Sequence, residues 1–232
     1  MELLSYVILL GGKGQRLGGI PKALILRPDG QTILEHLLSV LNELQEKIQE
    51  NQSIQFDPCL YLSIQADCHP KLTHHYIQII EAFKKIHHFP SSYHFLEDPN
   101  HLKSPSTLDL IVHLLSIKKN KLLTLACDYP FLDLTLLEFL IENQEEAKVI
   151  YFQGHPLISL WSASVLESLQ KEQLTMKQRK LQTILDDLPS IRLKIKEEGS
   201  DLDDLVPSKL LNLNDPKDLA ISGCHLPEKS FF

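Results

Sequence analysis

Two hydrophobic rhythms alternate along the chain: short apolar runs of strand length, and longer stretches whose apolar residues recur every three or four positions. Residues 5–10 (SYVILL) form the first run, ending in a glycine-rich stretch. Residues 23–27 read as a short extended segment closed by the turn Pro28-Asp29-Gly30. Thr32, with Glu35 three positions on, makes a capping box, and the helix it opens carries one apolar stripe through Ile33, Leu37, Leu38, Leu41, Leu44 and Ile48.

The alternation continues to the end. Strands are expected at 59–64, 93–96, 121–126, 149–152 and near 191–195. Helices are expected at 71–86, 108–117 and 134–142, near 162–171 and at 176–187, with a last strand–helix unit over 210–221. This order predicts an α/β three-layer sandwich, a mostly parallel sheet covered on both faces. Ligands on such sheets sit beyond the carboxyl ends of the strands, which directs attention to the loops after 5–10 and after 121–126. There is no internal repeat and no Pro/Gly/Ser linker, so residues 1–222 are expected to form one domain with 223–232 as a C-terminal tail.

Composition narrows the class of function. With 43% hydrophobic and 23% charged residues, the 232-residue chain has the make-up of a water-soluble globular protein. No apolar run reaches the roughly 18 residues that span a bilayer, and the start lacks the basic stretch of a signal peptide. Four scattered cysteines without a C-x-x-C pair suit a reducing compartment, so a cytoplasmic location is expected. A net charge of −7 argues against a nucleic-acid partner. Yet Lys13, Arg16, Lys22 and Arg27 cluster in the first 28 residues against Glu2 alone, a local site for a small anion.

That cluster coincides with five glycines in nine residues, Gly11 to Gly19, directly after a strand. Such a loop can wrap closely around phosphates and turn its N–H groups inward, with Lys13, Arg16 and Lys22 as countercharge. It is not a Walker loop, because Gly12-Lys13 is followed by Gly14 rather than Ser or Thr. It is not the dinucleotide fingerprint either, since Gly12, Gly14 and Gly18 are spaced one residue too widely. Ile20-Pro21-Lys22 also leads into an extended segment, not a helix.

The run Gly11-Gly12-Lys13-x-x-Arg16-x-Gly18-Gly19-x-x-Lys22 resembles the opening of the molybdenum cofactor guanylyltransferases and, more broadly, of the MobA-like nucleotidyltransferase superfamily. The resemblance extends with gaps to about residue 221. It implies a Rossmann-like nucleotidyltransferase (GT-A-like) fold in which the backbone at Leu9, Leu10, Gly11 and Gly12, together with Lys13 and Lys22, holds the nucleotide. Arg16 would lie over the β- and γ-phosphates. Cys127-Asp128-Tyr129-Pro130-Phe131 is similar to the family's metal-binding Cys-Asp-x-Pro-Phe motif, which implies Mg²⁺ on Asp128. Read without the resemblance, Asp128 is equally an N-cap for the helix at 134–142.

Other matches carry their own alternatives. Asp98 resembles a nucleotide-contacting aspartate, or is a turn residue before Pro99. Asn212-Leu213-Asn214-Asp215-Pro216 is similar to the family's Asn-x-Asn-x-Pro, so Asn214 either completes the metal shell or caps the helix that Pro216 opens. His155-Pro156 matches a pair at the start of a strand in the guanylyltransferase branch, where the histidine either joins the site or faces solvent. Lys177, Arg179 and Lys180 fall where the family turns basic residues to its second substrate. There are departures. Ser63 stands where the guanylyltransferases place a base-contacting asparagine, Pro21 replaces an aspartate of that branch, and Asp109 falls where a glycine is usual.

The resemblance thus implies catalytic roles for Lys22, Asp128 and Arg16. The reaction would be transfer of GMP from GTP to the molybdopterin form of the molybdenum cofactor, with Mg²⁺ and release of pyrophosphate. The alternatives are another nucleotidyltransferase using CTP or a different triphosphate, an NAD-type oxidoreductase, and a nucleotide-binding protein without catalysis. The histidine pairs His74-His75 and His87-His88 lack the repeated spacing of a zinc site, and Trp161 reads as core.

Overall fold

The computed structural model describes residues 2–10, 15–51, 54–64, 68–97, 107–143, 148–175, 181–188, 190–193 and 209–227. The strands β1 (Glu2–Leu9), β2 (Ile54–Ile64), β3 (Ser92–Glu97), β4 (Lys121–Ala126), β5 (Val149–Phe152), β6 (His155–Trp161) and β7 (Ser190–Leu193) form one seven-stranded sheet in the order β3-β2-β1-β4-β6-β5-β7. All neighbours run parallel except at β6, which is antiparallel to both β4 and β5. The helices are α1 (Ile33–Asn51), α2 (Pro70–His87), α3 (Thr107–Lys118), α4 (Leu134–Glu142), α5 (Leu166–Thr175), α6 (Leu181–Asp187) and α7 (Pro216–Ser222). Packing is α1 against α2 and α4, and α3 against α5. The consecutive buried residues Leu122 to Ala126 require cover on both faces of the sheet. The expected α/β architecture is therefore the one adopted. Among the described residues no helix is long and apolar enough to cross a membrane.

Local chemistry accounts for most elements. The capping box at the start of α1 forms as the sequence predicts: Glu35 N donates to Thr32 Oγ1 at 3.2 Å, and Thr32 N donates to Glu35 Oε2 at 2.7 Å. The stripe Ile33, Leu37, Leu38, Leu41, Leu44 and Ile48 is buried throughout. Trp161 is fully buried, its indole N–H donating to Ser159 Oγ at 2.8 Å. Where β1 and β2 slip register between Leu4 and Tyr6, buried Asp57 accepts from Ser5 Oγ at 3.1 Å and pairs with Lys118 at 2.9 Å.

Three expectations need correction. Residues 23–27 are not extended throughout: Lys22–Leu24 is a turn of 3₁₀ helix, and the chain then straightens so that Leu26 bridges both Thr32 and His225. Residues 210–213 form no strand. Leu213 makes a single backbone bond to Asp128 instead. Residues 155–161 form the strand β6, which hydrophobic periodicity does not separate from its neighbour, although the resemblance puts His155 at a strand start. A two-residue turn, Gln153-Gly154, with Gly154 at φ 83°, folds β6 back on β5 as a hairpin.

The segment after α7, left unread in the sequence, is tied back to the domain by two backbone bonds of 2.9 Å between Leu26 and His225. The acidic stretch 197–204 lies outside the described residues.

Candidate active site

Strand order reverses at β1, with β2 on one side and β4 on the other, and in such sheets the carboxyl ends of the strands at the reversal are where ligands bind. The register aligns three strand ends there, with Ser63 beside Leu9 and Leu9 beside Ala126. Two further backbone bonds prolong the seam: Leu10 N donates to Ser63 O at 3.0 Å, and Cys127 N to Leu9 O at 3.3 Å. Leu9, Leu10 and Ser63 are all buried at this rim. Gly11, Gly12 and Lys13, expected to contact nucleotide, lie outside the described residues, as do Asp98 and the basic residues Lys177, Arg179 and Lys180. Beyond them Arg16 is exposed on the 3₁₀ turn Gln15–Leu17. Gly18 and Gly19 follow with φ of 72° and 81°, a left-handed pair that side chains disfavour and that turns the loop back toward Lys22.

The structure brings together Lys22, Asp128 and Asn214. Lys22 Nζ lies 3.4 Å from Asp128 Oδ2 and 3.0 Å from Asn214 Oδ1. Arg16 makes no contact with this group among the described residues. Both capping alternatives are answered by neighbouring residues. Asp133, not Asp128, caps α4, accepting from Leu136 N at 3.2 Å. Asp215, not Asn214, caps α7 through a capping box with Asp218. The carboxylate of Asp128 and the amide of Asn214 are thereby free of helix-end duties and turned to Lys22.

Behind them stands a second polar group, centred on Tyr129, a residue to which the sequence assigned no part. Tyr129 OH lies 3.1 Å from His155 Nδ1 and 3.2 Å from Asn212 Nδ2. Asn212 Nδ2 donates to the Tyr129 oxygen, and the tautomer of His155 decides which of Tyr129 OH and His155 Nδ1 donates to the other. Burial holds His155 below the usual histidine range, with Asp128 opposing, in keeping with a neutral ring. His155 is thus half-buried against Tyr129, not a free surface residue. The position of Tyr129, next to Asp128, was the available signal for its part.

Burial raises the Asp128 carboxyl above the ordinary carboxylate range, against the lowering effects of Lys22 and the Asn212 amide. Among the described residues, Asp128 Oδ1 and Asn212 Oδ1 are buried acceptors with no hydrogen-bond partner. Orphaned oxygens beside a desolvated carboxylate suit a hard cation. The described residues contain no group of three or more His, Cys, Asp or Glu able to hold a metal alone. That donor set fits Mg²⁺, which commonly takes one or two carboxylates and completes its shell with waters and substrate phosphates. Cys127, fully buried, has its thiol pushed up by burial and then by Asp128, and so remains protonated and unreactive. Of the second histidine pair, His87 stacks on Phe83 and His88 ends α2 in a left-handed conformation.

Known proteins share the fold and, through one domain family, the sequence pattern. The fold resembles 4-diphosphocytidyl-2C-methyl-D-erythritol synthase from Anaerococcus prevotii, with a TM-score of 0.59, 11% identity, and coverage of 95% of this chain and 96% of that one. A nucleotidyl transferase from Methanothermobacter gives a TM-score of 0.56 at 15% identity, covering 95% and 96%. The protein Rv0371c from Mycobacterium tuberculosis gives 0.54 at 14%, also covering 95% and 96%. At these identities the likeness is one of fold. No curated protein matches the sequence. The model of the MobA-like NTP transferase domain matches residues 6–191, and the chain therefore belongs to that family of nucleotidyltransferases.

Proposed function

We propose that the protein transfers GMP from GTP to a phosphate-bearing acceptor of the molybdopterin type, releasing pyrophosphate. The observation that carries nucleotidyl transfer at this site is the convergence of Lys22, Asp128 and Asn214 beyond the ends of β1 and β4. The acceptor phosphate oxygen attacks the α-phosphorus, and the bond from that phosphorus to the bridging oxygen of the β-phosphate breaks. The attacking oxygen is already anionic, so no general base is needed. The barrier lies in gathering negative charge, which positioned cations and donors relieve. Lys22 neutralises the α-phosphate, Arg16 meets the β- and γ-phosphates, and the backbone at Leu9 to Gly12 with Lys13 cradles the nucleotide. Asp128, with Asn214, would hold Mg²⁺. Bound there, the ion supplies charge neutralisation to phosphate oxygens. Asp98 would contact the nucleotide and Ser63 would lie near the base.

The guanine and molybdopterin assignments rest on the opening loop's resemblance to the guanylyltransferase branch. One observation favours a second reading, a different triphosphate such as CTP: Ser63 sits at the rim where that branch has an asparagine for guanine. Pyrophosphate release measured with each of the four triphosphates and a panel of phosphate acceptors tests both. GTP-dependent release with a pterin phosphate alone supports the first reading. Release with CTP supports the second. Binding without release with any pair removes catalysis.

A further inference from the structure

We propose that Lys22 is the resident cation of the Asp128 site. A divalent ion then binds Asp128 strongly only after a nucleoside triphosphate has drawn the Lys22 ammonium onto its phosphates. This rests on the reading of Asp128 and Asn214 as metal-binding residues and adds an order of assembly to it.

The two oxygens that Lys22 Nζ touches, Asp128 Oδ2 at 3.4 Å and Asn214 Oδ1 at 3.0 Å, belong to the two side chains which that reading gives to the metal. An ammonium ion and a divalent cation therefore compete for the same donors, and their like charges repel at contact distance. Without substrate the ammonium wins on charge balance: Asp128 is one carboxylate in a desolvated place, and one positive charge neutralises it. The oxygens left over, Asp128 Oδ1 and Asn212 Oδ1, are buried and unpartnered, and two donors are too small a set to hold a dication against a neighbouring ammonium.

A triphosphate reverses the balance by bringing several negative charges. The lysine stem can swing while its backbone stays, because Ala23 and Leu24 of the same 3₁₀ turn are buried in the core. Metal and nucleotide then bind with positive coupling, each strengthening the other by the same factor. The Lys22–Asp128 pair without substrate, and Lys22 on phosphate with a metal on Asp128, are two states of one charge arrangement.

The test is Mn²⁺ binding to the whole protein without nucleotide, followed by calorimetry and by the electron paramagnetic resonance signal of free Mn²⁺. Lys22→Met removes the charge and should tighten Mn²⁺ binding by about tenfold or more, although the same change weakens nucleotide binding. Lys22→Arg keeps the charge and should bind Mn²⁺ as weakly as the wild type. Adding Asp128→Asn to Lys22→Met should abolish the gain. Lys22→Gln provides a second neutral variant, and circular dichroism checks that each is folded. Equal Mn²⁺ affinity in wild type and neutral variants, with Asp128-dependent binding once GTP is added, would overturn the placeholder role and leave the metal reading standing. No Asp128-dependent Mn²⁺ binding under either condition would remove both.

Discussion

The backbone N–H of Leu213 donates to the carbonyl oxygen of Asp128 at 2.8 Å. That one bond docks the segment before α7 onto the loop after β4, with Leu213 fully buried between Asn212 and Asn214. It holds the two asparagines on either side of the carboxylate, one directed to Tyr129 and the other to Lys22.

Asp128→Asn is the sharpest test of the site. Its side chain caps no helix, since Asp133 performs that task, so the variant should fold as the wild type does. Pyrophosphate release should fall by several orders of magnitude across a Mg²⁺ titration, on protein shown by circular dichroism to be folded. Wild-type turnover would place the chemistry elsewhere.

Tyr129→Phe removes one oxygen and strands two partners, His155 Nδ1 and Asn212 Nδ2. Leaving such groups unpaired in a half-buried site typically costs about 1–3 kcal/mol, to be read from urea denaturation. Because Asn212 also lowers the Asp128 pKa, Mn²⁺ affinity in the presence of nucleotide should weaken as well. A variant as stable as the wild type with unchanged metal affinity would show that the Tyr129 hydroxyl positions nothing.

Histidine 36 should make stability pH-dependent. Its Nε2 lies 2.7 Å from the carbonyl of Leu132, joining α1 to the loop before α4, and burial, then Arg27, lower its pKa from 6.5. Below 6.5 the unfolded chain takes up the proton more readily than the folded one. Stability is therefore full above that value and falls as pH drops through the folded pKa. His155 shifts in the same direction. Between about pH 7 and about pH 5 the wild type should lose more unfolding free energy than His36→Gln, measured by denaturant titration at each pH. Equal losses would assign the dependence to other groups.

Nucleotide choice can be read from thermal stability. GTP with Mg²⁺ should raise Tm more than ATP, CTP or UTP, with about 2.7 kcal/mol of stabilisation at 100 times Kd. Equal shifts, or the largest with CTP, would discard guanine selection while leaving nucleotidyl transfer in place.

Features set by residues a few positions apart were legible without coordinates. The stripe of α1 and its Thr32–Glu35 capping box needed only local spacing, as did the buried run of β4 and the bounds of α4. From these the sequence alone determined the α/β alternation, and hence that the loops at the strands' carboxyl ends, after β1 and β4 among them, were the places to look for a ligand. The Gln153-Gly154 turn was a local signal for β6 as well, though hydrophobic rhythm alone did not separate that strand from β5.

What depended on the path of the whole chain was decided only by tertiary structure. Asp128 and Asp133 both stand before one helix, and backbone direction chose which would cap it. Asn214 and Asp215 presented the same choice at α7. Lys22 meets Asn214 across 192 positions because strand order brings β1 and β4 side by side and Leu213 pins the late segment to their rim. Residue type announced cations, carboxylates and amides. Which of them would touch, and with which oxygens left unpartnered, followed from packing, because burial and charge act through space and take no account of distance along the chain.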